Sequence, residues 1–254
     1  VKELSVMSLN LRFGLADDGP NGWNCRKQSV LKLFQEQHPD FIATQEANDF
    51  QIDFLDNNLS DYSYIGRHRP APRFWQHNIL FYRTAIVCAQ QVHFFLSETP
   101  RIPSRSFGSQ FPRQGTLGLF HVNSQALICL DTHFDFETPA QMGAARVIKK
   151  QLASFSGELP AIVMGDFNAT PESKCYHWLT DKDVDGERGL NLQETYRAPY
   201  PSTFHHFTGK PTGGYIDWIL YRGPLELKTC EVLQEPVDGI YPSDHYAVTA
   251  VFEL

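Results

Sequence analysis

The sequence predicts one mixed α/β domain built on two packed sheets, and three observations carry that prediction. The 254 residues contain roughly ten or more strand-like runs and about four helix-like segments. Strands and helices do not follow one another in clean β-α-β order, so a core of two stacked sheets fits better than one parallel sheet. No Gly/Ser-rich linker, repeat or low-complexity tract interrupts positions 1–254, and the chain is read as a single domain.

The elements follow in order. "ELSVMSLN" (3–10) alternates as a strand and ends on Asn10. After a Gly/Asp/Pro loop at 14–22, "CRKQSVLKLFQEQHPD" places apolar residues at 30, 31, 33 and 34, a helix stopped near Pro39. "DFIATQEA" is a short apolar strand ending in Gln45 and Glu46, followed by a helix at 49–59. "YSYIGRH", "HNILFYRTA" and "VCAQQVHFFL" read as three strands, and 97–114, with three prolines and no period, as an irregular loop. Strands are expected at 115–122 and 126–132, a helix at 138–155, a strand at 159–165 and a helical stretch at 171–180. Residues 181–214 read largely as loop, and strands at 215–222, 226–232 and 245–254 finish the chain.

Bulk composition narrows the function classes. Hydrophobic residues make up 42% of the chain, enough for a large core. The formal net charge is −7, which gives no global electrostatic footprint for nucleic acid. Local basic clusters exist at Arg67, His68, Arg69 and Arg73 and at Arg101, Arg105 and Arg113. The five cysteines (Cys25, Cys88, Cys129, Cys175, Cys230) are odd in number and form no C-x-x-C pair, which points to reduced thiols rather than a disulfide framework. There is no leader pattern and no apolar run approaching ~18 residues. The expectation is a cytoplasmic monomer without a membrane segment; the start at Val1 without Met leaves a removed leader open.

The chemistry is concentrated where strands end. Asn10 ends the first strand, Glu46 the next long apolar one, and "LICLDTHFD" delivers His133 and Asp135. "VMGDFNAT" delivers Asp166 and Asn168, which a period of two places on one face while Phe167 turns into packing. "GGYIDWIL" carries Asp217, and "YPSDHYAV" puts Asp244 and His245 at the entry to the last strand. A lone D-x-N closes a strand as an Asx turn, and each other residue has a similar cap or turn explanation. Six such groups in order at strand ends do not reduce to independent turns. Paired oxygen-bearing side chains of this kind suit a hard cation or a water poised for attack.

The order Asn10, Gln45-Glu46, Thr132-His133, Gly165-Asp166-Phe167-Asn168, Ile216-Asp217 and Ser243-Asp244-His245 resembles the endonuclease/exonuclease/phosphatase (deoxyribonuclease-I-like) superfamily, in particular its small bacterial members. The resemblance implies a four-layer α/β sandwich, two central mainly antiparallel β-sheets flanked by helices. It also implies site roles. Glu46, with Asn10 and Asp244, would bind Mg²⁺, with Mn²⁺ able to substitute. Asp166 and Asn168 would hold the attacking water. His245, oriented by Asp217, and His133 would stabilise the phosphoryl oxygens. Many relatives carry a Glu ahead of the "ILFY" strand to support the first histidine; here Gln76 or its neighbour Asn78 takes that place. "LSETPRIPSRSFGSQFPRQGTLG" makes Arg113 a candidate phosphate clamp, and "STFHHF" makes Thr203 and His205 bracing residues.

The implied activity is Mg²⁺-dependent phosphoester hydrolysis. A phosphodiesterase acting on a nucleotide, short nucleic acid or other small phosphodiester comes first. Behind it stand a DNA or RNA nuclease, a phosphomonoesterase on a small metabolite, and an inactive relative that binds phosphorylated ligands. An acidic chain without a lysine-rich groove speaks against duplex nucleic acid, whose affinity comes from phosphate neutralisation.

Overall fold

The computed structural model describes residues 3–155, 158–181 and 183–254. The chain runs through β1 (Glu3–Asn10), α1 (Trp23–Gln37), β2 (Phe41–Ala47), α2 (Asp49–Asn58), β3 (Tyr62–Ile65), β4 (His77–Arg83) and β5 (Val87–Phe95). It continues with β6 (Gln114–Val122), β7 (Gln125–His133), α3 (Thr138–Ala153), β8 (Ala161–Asp166) and α4 (Lys174–Thr180). Three two-residue strands, β9 (Asp183–Val184), β10 (Glu187–Arg188) and β11 (Gln193–Glu194), lie in the stretch read as loop. Strands this short have no period to betray them. β12 (Asp217–Arg222), β13 (Glu226–Leu233) and β14 (Ala247–Glu253) complete the fold.

Two six-stranded sheets form, in the orders β13-β14-β1-β2-β4-β3 and β11-β12-β8-β7-β6-β5. Each has one parallel pair, β1 with β2 and β7 with β8; the other pairs are antiparallel. A parallel pair needs a crossover, supplied by α1 in one sheet and α3 in the other. The fold therefore contains two β-α-β units within otherwise antiparallel sheets.

Alternation along the strands assigns side chains to three cores. Leu4, Val6, Ala43, Cys129, Ile162 and Met164 pack between the sheets. Their strand neighbours Met7, Leu9 and Ile42 turn outward under α1 and α2. Ile128, Leu130, Ala161 and Val163 turn outward under α3 and α4. Strands buried on both faces explain why these runs read as continuous apolar stretches. The result is the expected four-layer α/β/β/α sandwich. The carboxyl ends of both parallel pairs emerge on one rim, the position where open α/β sheets present their ligands.

Candidate active site

The first corner of the rim is built by β1 and β2, paired in parallel with Asn10 opposite Gln45. The pairing of β2 with β4 breaks between Thr44 and Ala47, and within that bulge Glu46 adopts a left-handed backbone (φ 61°). A bulge turns a side chain out of strict alternation, and here it aims a half-buried carboxylate at the rim. Glu46 Oε1 lies 3.3 Å from Asn10 Nδ2, and its Oε2 accepts from the Phe13 N–H at 2.6 Å. Asn10 also donates to Asp166 Oδ2 at 3.0 Å, while its own Oδ1 accepts from the Arg12 N–H at 2.8 Å.

The second corner is built by β7 and β8, with His133 opposite Asp166. Gly165 makes the approach possible. At φ 149°, in a region open essentially to glycine, a Cβ there would overlap the Thr132 carbonyl oxygen. Asp166 ends the strand, and Asn168 sits in a left-handed turn (φ 47°) with its N–H bonded to Asp166 Oδ1 at 2.9 Å. The expected strand-like spacing of Asp166 and Asn168 is thus replaced by an Asx-type turn, in which an aspartate accepts from the backbone two residues on. The two side chains still converge, on His133: its Nε2 lies 3.3 Å from Asp166 Oδ2 and 3.1 Å from Asn168 Nδ2. Phe167 is buried and stacked on Trp218 (4.4 Å between centroids).

The third corner joins distant segments. β12 runs antiparallel to β8 and begins at Asp217, opposite Asp166. β14 lies beside β1, so the turn before it brings Asp244 and His245 to the rim. His245 Nδ1 meets Asp217 Oδ2 at 2.9 Å, and its Nε2 faces Asp166 Oδ2 at 4.0 Å. Thr203 Oγ1 accepts from the N–H groups of Ile216 and Asp217, fixing the start of β12. His205 stacks on Tyr246 (3.9 Å) and its Nδ1 accepts from the Gly209 N–H, so it braces this corner. Asp135 is buried and accepts from Gln110 N, Phe111 N and Ser109 Oγ, holding the loop that carries Arg113.

The partner of His133 is a residue whose contact sequence reasoning did not anticipate. Arg113 Nη1 lies 2.9 Å from His133 Nδ1, while no hydrogen bond joins His133 to the Gln76 or Asn78 side chain among the described residues. A guanidinium offers only donors, so Nδ1 supplies a lone pair; the Asn168 amide beside Nε2 donates to the Phe134 carbonyl at 3.0 Å, which leaves the ring proton on Nε2, facing Asp166. Burial, then Arg113, then His245 hold His133 well below the usual imidazole range, and it is a neutral donor. His245 is the opposite case. Burial opposes its charge, but Asp217, Asp166 and Asp244 push it up to about 10. Asp166 is raised to about 7 by burial and the neighbouring Asp217, against the pull of His245. One rim therefore holds a neutral histidine, a cationic histidine and a carboxylate that titrates near neutrality.

Arg12 was also missed. It bonds both Asp18 oxygens at 2.9 and 3.0 Å and lies 3.7 Å from Asp244 Oδ2. Its signal in the sequence is a lone base two residues after the Asn10 strand end.

Two sets of groups are candidates for a cation. Asp166, Asp217 and His245 have donor atoms within 4.8 Å of one another. However, a His245 ring that is protonated and bonded to Asp217 has no lone pair to give. The half-buried Glu46 carboxylate, flanked by Asn10 and by Asp244 across Arg12, offers hard oxygens with room for water, a set that suits a small divalent ion.

The comparisons with known proteins agree with this geometry. The model of the Endonuclease/Exonuclease/phosphatase family matches residues 7–245. Among solved structures, an endonuclease/exonuclease/phosphatase from Bacteroides vulgatus superposes with a TM-score of 0.89 at 26% identity, covering 100% of both chains. A family protein from Bacteroides thetaiotaomicron gives 0.88 at 27% identity over 100% of this chain and 99% of that one. A mannosyl-6-phosphatase from the same organism gives 0.87 at 26% identity over 99% and 100%. No curated protein sequence matches the chain.

Proposed function

The chain belongs to the endonuclease/exonuclease/phosphatase family of phosphoester hydrolases, and from that premise we propose that it is a Mg²⁺-dependent hydrolase of small phosphoesters. One observation carries the reading: Asp166 Oδ2 is the meeting point of Asn10, His133 and His245, at 3.0, 3.3 and 4.0 Å. These residues come from three separate corners of the fold, and no packing requirement of the sheets gathers them.

Asp166 orients the attacking water and takes its proton, a task matched to a group that titrates near neutrality. The cationic His245 and the neutral Nε2–H of His133 hold the non-bridging oxygens, where charge accumulates in the transition state. Asn10 steers Asp166 through its amide nitrogen, and Asn168 flanks His133 from the other side. Asp217 keeps the His245 ring oriented and charged. Mg²⁺, with Mn²⁺ able to replace it, would be held by Glu46 with Asn10 and Asp244, and would polarise a phosphoryl oxygen.

The substrate lies between two chemistries. The sequence favours a small phosphodiester. A relative of equal identity that is a mannosyl-6-phosphatase supports a monoester of a small metabolite. The net charge of −7 supports neither a duplex nor a long polyanion. The test is a panel of p-nitrophenyl phosphate, bis-p-nitrophenyl phosphate, hexose phosphates, dinucleotides and plasmid DNA, with and without Mg²⁺. Asp166→Ala and His245→Ala are expected to fold and to lose several orders of magnitude in turnover. Near-normal activity in either variant overturns the mechanism.

A further inference from the structure

Beside His133 opens a pocket of about 320 Å³ that the reaction chemistry does not use. Its walls are the rings of Phe13, Phe74, Trp75 and Phe111, Gln76 lies at its side, and His133 closes its inner end. Phe74 is 66% exposed and Phe111 is 45% exposed. Scattered exposed aromatics need no explanation, but rings collected around one opening mark a binding surface. The walls are held in place. Trp75 Nε1 donates to Gln114 Oε1 at 3.4 Å and packs edge-on against Phe95, while Phe111 rests 4.8 Å from the Arg113 guanidinium.

We propose that this pocket binds the sugar ring of a sugar phosphate, so that substrate selection rests on stacking of that ring against Phe74, Trp75 and Phe111. The inference rests on the phosphoester reading and names its substrate class.

Five features carry it. The pocket starts at His133, whose Nε2 lies 3.3 Å from Asp166 Oδ2, so whatever fills it is attached within a bond or two of the ester oxygen. In a nucleotide that moiety is the sugar and not the base. Arg113, the one cation on the lining, is almost wholly buried and bonds His133 through Nη1, and the aromatic walls beside it suit a neutral group. The ring faces on the lining complement the C–H face of a sugar. The Gln76 side chain makes no hydrogen bond among the described residues and can bond a hydroxyl. The volume, at the lower end of small-molecule sites, admits one ring.

The experiment compares the Mg²⁺-loaded wild type with Phe74→Ala and Gln76→Ala, both at exposed or half-exposed positions where folding is preserved. Substrates are glucose 6-phosphate, ribose 5-phosphate and the ring-less glycerol 3-phosphate. Phe74→Ala is expected to lower kcat/KM for the sugar phosphates by roughly tenfold, mainly through KM, the scale of one lost ring contact. Glycerol 3-phosphate should change less than about twofold, and Gln76→Ala should follow the same pattern more weakly. Equal losses on all three esters, or none on the sugars, overturn the proposal. If the wild type hydrolyses none of the three, and bis-p-nitrophenyl phosphate is left intact as well, the phosphoester reading is at fault, and calorimetric titration with glucose 6-phosphate decides the pocket separately. Tighter binding to wild type than to Phe74→Ala supports it, and equal or absent binding overturns it.

Discussion

Replacing Asp217 by Asn leaves the shape of the buried pair intact and removes its charge, which makes the His245 proton measurable as stability. The Nδ1···Oδ2 contact is 2.9 Å, and both side chains are almost wholly buried. With its neighbouring acids, Asp217 lifts His245 from 6.5 to about 10. A folded-state value above the unfolded one stabilises the fold fully below pH 6.5, and that stability is lost as the pH rises towards 10. At ~1.36 kcal/mol per pH unit the gap amounts to about 5 kcal/mol at its largest, and only about 1 kcal/mol of it remains at pH 9. The variant keeps the pull of Asp166 and Asp244, so the expected penalty is ~3–4 kcal/mol at pH 6 and ~1 kcal/mol at pH 9, in line with the cost of breaking a buried pair. Urea unfolding of both proteins at the two pH values, with EDTA present, measures it. A penalty that is the same at both pH values, or that grows with pH, refutes the charged-dyad argument. So would a wild-type His245 that titrates near 6.5 by NMR.

Arg113→Met should release the His133 tautomer while Arg113→Lys retains it. ¹⁵N shifts of the ring are expected to show Nε2–H in wild type and Lys variant and a mixture in the Met variant, with a ten- to hundredfold loss of kcat/KM for Met, the scale of a charge-assisted hydrogen bond. Glu46→Gln should weaken Mg²⁺ activation, raising the Mg²⁺ concentration for half-maximal activity by at least about tenfold while leaving thermal unfolding of the metal-free protein unchanged. Gly165→Ala forces a Cβ onto the Thr132 carbonyl at a positive φ. It should cost ~3 kcal/mol or more in urea unfolding and lower turnover by parting His133 from Asp166.

Much of the site was legible because its residues sit where apolar strand runs stop. A polar residue that ends such a run either reaches the rim or needs a buried partner, as Gln45 has in Asp131. Asn10, Glu46, His133 and Asp166 were visible in this way; the two packed sheets followed from the count and order of strands and helices, and the four-layer sandwich from the family resemblance. What stayed hidden depends on pairs far apart in sequence or on backbone irregularity. Arg113 reached His133 across an irregular, proline-containing loop that has no period to read. Gln76, expected to support His133, makes no hydrogen bond to it among the described residues, and both residues line the aromatic pocket.

The sequence by itself determined which chemical groups the rim would hold, because side-chain type and strand ends are local properties. Only the tertiary structure decided what those groups are at neutral pH. His133 and His245 are the same residue type at the same rim. One is kept neutral by burial and a guanidinium at 2.9 Å, and the other is charged, against burial, by a carboxylate at 2.9 Å. The bulge at Glu46 and the close approach at Gly165 set the aim of two carboxylates in the same way. Coulomb energy and desolvation depend on distance in space, and the sequence order of residues 113, 133, 217 and 245 does not contain those distances.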